Sequence, residues 1–315
     1  MENNRIMRVL AVILLVACGI VAVTLIRMRH SMDYVPSDAV DNLVEILERD
    51  GIRIDREIIS EKRENGTVYV FDSEGYTRTV AELLSGSVIR DSYIIPDGEL
   101  LILENGDRCE FSENFSFHYR AKDADEFSPN IVDLRYYAKA VTEEDAEEAV
   151  DAVKAFLENG SRTFSGDVEF SGTIGIDGIW EEAGIRYVLC SRTIDGVTIT
   201  GNLVLCTVEG EKVTAAYGTW CFFTPGTSYS AQLSDILNIL FNVKKDLSPA
   251  AGTGGNASGG ETVTIESITS CYSLYFFGEE ENFCLIPCWQ IATDTRGELI
   301  YNAINGVLYT KILEE

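Results

Sequence analysis

Apolar positions in this chain follow three patterns, each predicting a different kind of element. Between Arg8 and Arg27 the pattern is continuous, with eighteen uncharged residues at positions 9–26. As a helix this run is about 27 Å long, close to the roughly 30 Å hydrocarbon core of a bilayer. Every later apolar run is broken by charge or glycine within a few positions. Those shorter runs switch between the helical period and strict alternation.

Helical spacing appears first at Ala39, Leu43, Val44 and Leu47, opened by Pro36-Ser37-Asp38 and stopped by Asp50-Gly51. Strand candidates follow at 52–55 and 67–71, then a short helix at 79–84 ending in Ser85-Gly86. Four more strands are expected at 93–96, 99–103, 108–111 and 116–119. Asp97-Gly98 and Asn105-Gly106 between them are strong hairpin signals. The order then repeats at larger scale. Thr142-Glu143-Glu144-Asp145 starts a helix in capping-box style, and Ala146, Ala149, Val150, Val153, Phe156 and Leu157 form its stripe. A meander is expected at 168–170, 174–176, 185–194, 197–208 and 213–223, with Asp195-Gly196 the clearest turn. Next come a helix at 228–243 and closing strands at 263–277, 284–292, 298–303 and 307–312.

The expected fold class is α+β, a single amino-terminal transmembrane helix followed by two lobes whose helices pack on curved antiparallel sheets. The divisions are a tail and anchor at 1–30, a first lobe at 31–130 and a larger second lobe at 131–315. Residues 248–260 (SPAAGTGGNASGG) are too poor in apolar groups to pack and read as a flexible insertion.

Three fates compete for the first thirty residues. Leu15-Val16-Ala17-Cys18 has the form of a bacterial lipobox, yet apolar residues rather than a polar tether follow it. A cleaved signal has a short apolar core and a small-x-small site, whereas this run ends in Arg27-Met28-Arg29-His30. The expectation is an uncleaved anchor in the cell membrane, single-pass, with the large carboxy-terminal part extracytoplasmic. Arg5 and Arg8 at one end face Arg27 and Arg29 at the other, so the positive-inside bias is slight. Ala11, Ala17, Gly19 and Ala22 offer a small-residue face for partner contact within the bilayer.

Charge removes one partner class. The first thirty residues hold four of the 25 basic and one of the 51 acidic residues, so the remainder carries −29. Such a surface repels phosphate backbones, which excludes nucleic acid. Of eight cysteines, seven lie beyond the anchor, an odd number that cannot pair completely. Cys190, Cys206 and Cys221 sit in apolar strand-like stretches and read as small buried hydrophobes. Cys284 and Cys288 bracket Leu-Ile-Pro at a spacing open to a disulfide or a metal, but paired C-x-x-C ligands are missing.

No motif reaches a convincing catalytic constellation, and no cofactor or metal is expected. Gly252 to Ala257 matches G-x-G-x-x-A without the strand and helix that would aim amides at a pyrophosphate. Glu279-Glu280-Glu281 reads as a solvated turn, and Asp123-Ala124-Asp125-Glu126 lacks the features of an EF-hand loop. A histidine-based triad would have to use His118, which alternation puts in an ordinary strand. The aromatic groups at Tyr136-Tyr137, Trp180, Trp220 to Phe223 and 272–277 are expected in the core.

The closing residues are the most specific. Ile286-Pro287-Cys288-Trp289-Gln290-Ile291, then Tyr301-Asn302-Ala303-Ile304-Asn305-Gly306-Val307, resembles the closing hairpin of PepSY-like modules. Residues 185–205 (IRYVLCSRTIDGVTITGNLVL) are similar to the long hairpin of those modules, and the helix at 143–157 stands where their first helix would. With one anchor and this length, the whole chain resembles the YycH/YycI family of Gram-positive bacteria. The likeness covers 140–315; over 31–130 it is one of layout, and the glycine-rich insertion and cysteines depart from the pattern. The resemblance implies two PepSY-like lobes and a non-enzymatic regulator of a two-component system. Its expected partners are a membrane sensor histidine kinase and a related accessory protein. The alternative is a PepSY-type inhibitor or chaperone of an extracytoplasmic hydrolase. A third function, an unrecognised hydrolase, would need His118 or a carboxylate pair.

Overall fold

The computed structural model describes residues 34–62, 65–71, 76–96, 98–112, 116–124, 130–161, 172–222, 227–247, 262–277 and 282–312. The expected anchor at 9–26, its face of Ala11, Ala17, Gly19 and Ala22, the insertion at 248–260 and the Glu279 to Glu281 turn lie outside these residues. No helix among the described residues is long and apolar enough to cross a membrane.

The chain begins with α1 (Ser37–Arg49), β1 (Ile52–Ile54), β2 (Asn65–Phe71), α2 (Tyr76–Ser85), β3 (Ile89–Ile95), β4 (Gly98–Leu103), β5 (Arg108–Ser112) and β6 (Ser116–Arg120). It continues through α3 (Ile131–Tyr137), β7 (Lys139–Ala140), α4 (Glu147–Ser161), β8 (Gly172–Glu182), β9 (Ile185–Ile194), β10 (Val197–Glu209) and β11 (Lys212–Thr219). Last come β12 (Thr227–Gln232), α5 (Ile236–Leu247), β13 (Val263–Phe277), β14 (Asn282–Thr293), β15 (Gly297–Asn302) and β16 (Leu308–Ile312).

These elements form two compact units. The first gathers the described residues up to Gly66, those from Ala231 to Thr269 and those from Cys288 on. The second takes Thr67 to Ser230 and Ser270 to Pro287.

In the first unit, α1 buries Val40, Leu43 and Leu47 along one stripe and stops where Gly51 takes a φ of 80°. That stripe shares a core with Ile239, Leu240 and Val243 of α5 and with Ile291, Leu299 and Tyr301 of the closing strands. β1 runs parallel to β13, Ile52 opposite Val263 and Ile54 opposite Ile265. β14, β15 and β16 form an antiparallel meander with Trp289 opposite Tyr301. Asn305-Gly306 turns the chain as its composition predicts: Gly306 has a φ of 73°, and its N–H donates to Asn302 O at 2.8 Å.

In the second unit an antiparallel series runs β3, β4, β5, β6, β11, β10, β9, β8, β7. β10 also meets β13 in parallel, Ile199 opposite Tyr272. The β9–β10 turn has Asp195 at φ 51° and Gly196 at 79°, the left-handed pair that a two-residue hairpin of matching twist requires. Val80, Ala81 and Leu84 of α2 and Ala149, Val153 and Leu157 of α4 cover one sheet face, on Leu101, Phe111, Phe117 and Tyr119. On the opposite face, Leu134 of α3 packs against Trp180, Tyr187, Leu189 and Leu205.

The expected architecture of two lobes, each with helices packed on an antiparallel sheet, is overturned. Five α-helices stand among sixteen strands in the described residues, and the pairing is mixed rather than antiparallel. The reason lies in β13 and β14, 15 and 12 residues long. At about 3.3 Å per residue such strands outrun one small sheet, and each contributes residues to both units. The helix expected over 228–243 also starts late, at Ile236, where Asp235 Oδ1 accepts the Leu237 N–H at 3.0 Å. Residues 227–232 are β12, mostly exposed and rich in Ser and Thr, which compete with helical backbone bonding.

Candidate functional site

The half of the second unit's sheet built from β3 to β6 has core side chains on one face only. Alternation along β5 and β6 sends Cys109, Phe111, Phe117 and Tyr119 into the core and leaves Glu110 and His118 on the other face. Strand register sets Glu110 opposite His118 and His118 opposite Tyr217 of β11. The His118 and Tyr217 rings meet edge to face, centroids 6.3 Å apart. With Ser112 and Ser116 they line a shallow, open groove of about 360 Å³. Burial pulls the His118 pKa below its ordinary 6.5, with Glu110 opposing, so the imidazole is neutral at pH 7. His118 thus holds the strand position that alternation predicts.

Around this sheet, apolar groups face solvent. β3 pairs only with β4 among the described residues, and its Ile94 is 95% exposed. α3 has one buried side chain, Leu134, while Tyr136 and Tyr137 are 79% and 82% exposed. This corrects the expectation that both tyrosines lie in the core. The inward stripe of this seven-residue helix is made by Ile131 and Leu134, which leaves Tyr136 and Tyr137 off it. Trp180, Trp220, Phe222 and Tyr272 are buried. α3 itself escaped the periodicity analysis, although Asn130, which accepts the Val132 N–H at 2.9 Å, followed by Ile131 and Leu134 was a usable start signal.

The first unit holds a more enclosed feature at the start of α5. Val35, Ile58, Leu233, Ile236, Ile268 and Trp289 wall a cavity of about 30 Å³, or about 400 Å³ of empty space with its mouth counted. Ser60, Lys62, Ser234 and Asp235 complete the lining. The Trp289 Nε1–H is buried and has no hydrogen-bond partner. Sequence spacing could not reveal this site, because its walls come from five separated stretches of chain.

The seven described cysteines are buried and none forms a disulfide, so the bridge left open for Cys284 and Cys288 is not formed. Burial pushes the Cys190 thiol up to about 12 and the Cys284 thiol to about 11. Neither presents a thiolate near neutral pH, and the thiolate is the reactive form. No cluster of three or more His, Cys, Asp or Glu side chains among the described residues is placed to hold a metal.

No protein-family model matches the chain, and no curated protein matches it.

Proposed function

We propose that this chain is a non-enzymatic regulator that binds a sensor histidine kinase of a cell-envelope two-component system, alone or with a related accessory protein. The uncharged run at 9–26 tethers it to the cell membrane, and the remainder lies outside the cytoplasm. The observation that carries a partner-binding role is α3, whose Tyr136 and Tyr137 project into solvent from a helix only seven residues long. Exposed aromatic groups of this kind supply contact area at little entropic cost and mark protein interaction surfaces. The choice of a kinase rests on the resemblance of the whole chain to the YycH/YycI family, through its one expected anchor, its length and the likeness of residues 286–291 and 301–307 to a PepSY-type closing hairpin.

Regulation of this type needs no ligand and no chemistry. A protein that contacts two kinase states with different affinity shifts their populations by that difference. The test is a photo-crosslinking residue at position 136 or 137 in the native membrane. Capture of a sensor kinase is expected. Capture of an extracytoplasmic hydrolase would replace this function with that of a hydrolase inhibitor or chaperone, and capture of neither would overturn both.

A further inference from the structure

The groove on the open face of β5, β6 and β11 has a chemistry that regulation of a kinase does not use. Strand register sets Glu110, His118 and Tyr217 side by side on three neighbouring strands, a row roughly 10 Å long at the usual strand spacing. Ser112 and Ser116 add two hydroxyls to the same lining. The groove holds about 360 Å³, within the roughly 300–1,000 Å³ of small-molecule sites. The His118 and Tyr217 rings stand at 79° to one another, centroids 6.3 Å apart, and make an apolar corner in it. We propose that this groove binds an uncharged disaccharide, whose hydroxyls bond to Glu110, Ser112, Ser116 and His118 and whose C–H face packs into the His118–Tyr217 corner.

The ligand class follows from the donors, acceptors and charges of the lining. The exposed Glu110 carboxylate only accepts hydrogen bonds. The serine hydroxyls and a neutral imidazole both donate and accept, and burial keeps His118 neutral at pH 7. A ligand matched to this mixture carries groups that also do both, and the hydroxyls of a sugar are such groups. Charge narrows the class further. The lining carries its charge on Glu110, so an anion entering the groove meets a carboxylate. Arg108 and Arg120 lie opposite each other on the same face, two residues along the strands from Glu110 and His118 and so roughly 7 Å away. Arg120 is near enough to disfavour the His118 imidazolium. A cation drawn to Glu110 therefore meets two guanidinium groups. An uncharged ligand avoids both conflicts, and a sugar lying in a shallow groove keeps its outward hydroxyls in water. This site stands apart from the choice of a kinase as partner.

The test uses the full chain in lipid nanodiscs, with ¹³C at the histidine ring carbon Cε1. The chain has two histidines, so two ring signals are expected, told apart by His30→Gln. The probe is cellobiose. Its charged analogues are the disaccharide of glucosamine, which carries an ammonium on each ring, and cellobiouronic acid, which carries a carboxylate. Cellobiose should move the His118 signal alone and saturably, with a Kd on the order of 1–10 mM, and each charged analogue should bind about tenfold more weakly. Glu110→Gln, at an exposed position, keeps an acceptor and removes the charge, so cellobiouronic acid should then bind about as tightly as cellobiose. Ser112→Trp fills the groove and should abolish the shift, with a melting curve to show that the chain is folded. Should that variant not fold, Glu110→Gln decides alone. A His118 signal unmoved at about 100 mM cellobiose would overturn the site, as would a shift that survives Ser112→Trp. Equal binding of all three sugars, or continued rejection of the acid by Glu110→Gln, would overturn the selection for an uncharged ligand.

Discussion

The Tyr301 hydroxyl donates to the Asp246 carboxylate at 2.8 Å, joining β15 to α5 in the first unit. The two ends of this bond are not equivalent. Tyr301 is fully buried and Asp246 is exposed, and burial together with the Asp246 bond drives the phenol far above its ordinary pKa of 10. Tyr301→Phe leaves a carboxylate that water can solvate and should cost about 1 kcal/mol. Asp246→Ala strands a buried hydroxyl and should cost about 1–3 kcal/mol. Denaturant midpoints of the two single variants and the double variant check this order; a milder effect from Asp246→Ala than from Tyr301→Phe would refute it.

His118 gives the fold a pH dependence with a definite sign. Its pKa in the folded chain lies below the ordinary 6.5 because burial disfavours the imidazolium. Between those two values the unfolded chain binds the proton that the folded chain rejects, so the stability contribution is full above about pH 6.5 and is lost as pH falls below it. His118→Gln should flatten that part of the stability–pH profile. A ring-proton titration placing His118 above 6.5 would reverse the prediction.

Backbone strain differs between positions that hold a positive φ. Ala183 holds a φ of 52° ahead of Gly184, in the turn between β8 and β9. A left-handed conformation costs an alanine roughly 1 kcal/mol, so Ala183→Asn or Ala183→Gly should raise stability by about 0.5–1 kcal/mol. Gly218 is the opposite case. At φ 140° an added Cβ would lie 2.2 Å from the Leu203 carbonyl oxygen, whereas Gly51, at φ 80°, has open space around it. Gly218→Ala should therefore cost about 3 kcal/mol or more, and Gly51→Ala only about 1–2 kcal/mol. Thermal melts that rank Gly51→Ala as the worse substitution would contradict the geometry.

The exposed groups on α3 and β3 should matter for capture of a partner and not for folding. Tyr136→Ser and Ile94→Lys touch side chains that are mostly solvated, so each should change stability by no more than about 0.5 kcal/mol. A lysine also blunts an edge strand against pairing. Lower crosslinking yield with unchanged melting is the expected result, and full yield from both variants would remove this surface from the interaction.

Where local rules decide structure, the sequence was readable. The 185–194 strand, its Asp195-Gly196 turn and the 36–50 helix appear with little shift in their boundaries. Thr142 caps the 3-10 turn at Glu144–Ala146 that leads into α4, its Oγ1 accepting the Asp145 N–H at 3.3 Å. Long-range choices were not readable. Nothing within 263–277 indicates that Val263 pairs with Ile52 while Tyr272 pairs with Ile199, because alternation specifies a strand and not its neighbours. The Trp289 cavity is hidden for the same reason. A Pro-x-Trp strand identifies a residue to be packed, but the space left beside it is walled by Val35, Leu233 and Ile268 from distant segments.

Because β13 and β14 each serve both units, no single cut of the polypeptide releases either one whole. As synthesis proceeds from the amino terminus, α1 and β1 emerge early, yet the strands that complete their core, from Cys288 onward, are made last. The second unit likewise waits for Ser270 to Pro287. Truncation near the carboxy terminus should therefore leave nascent α1 with its apolar stripe uncovered, a substrate for holdase chaperones and proteases rather than a smaller working protein.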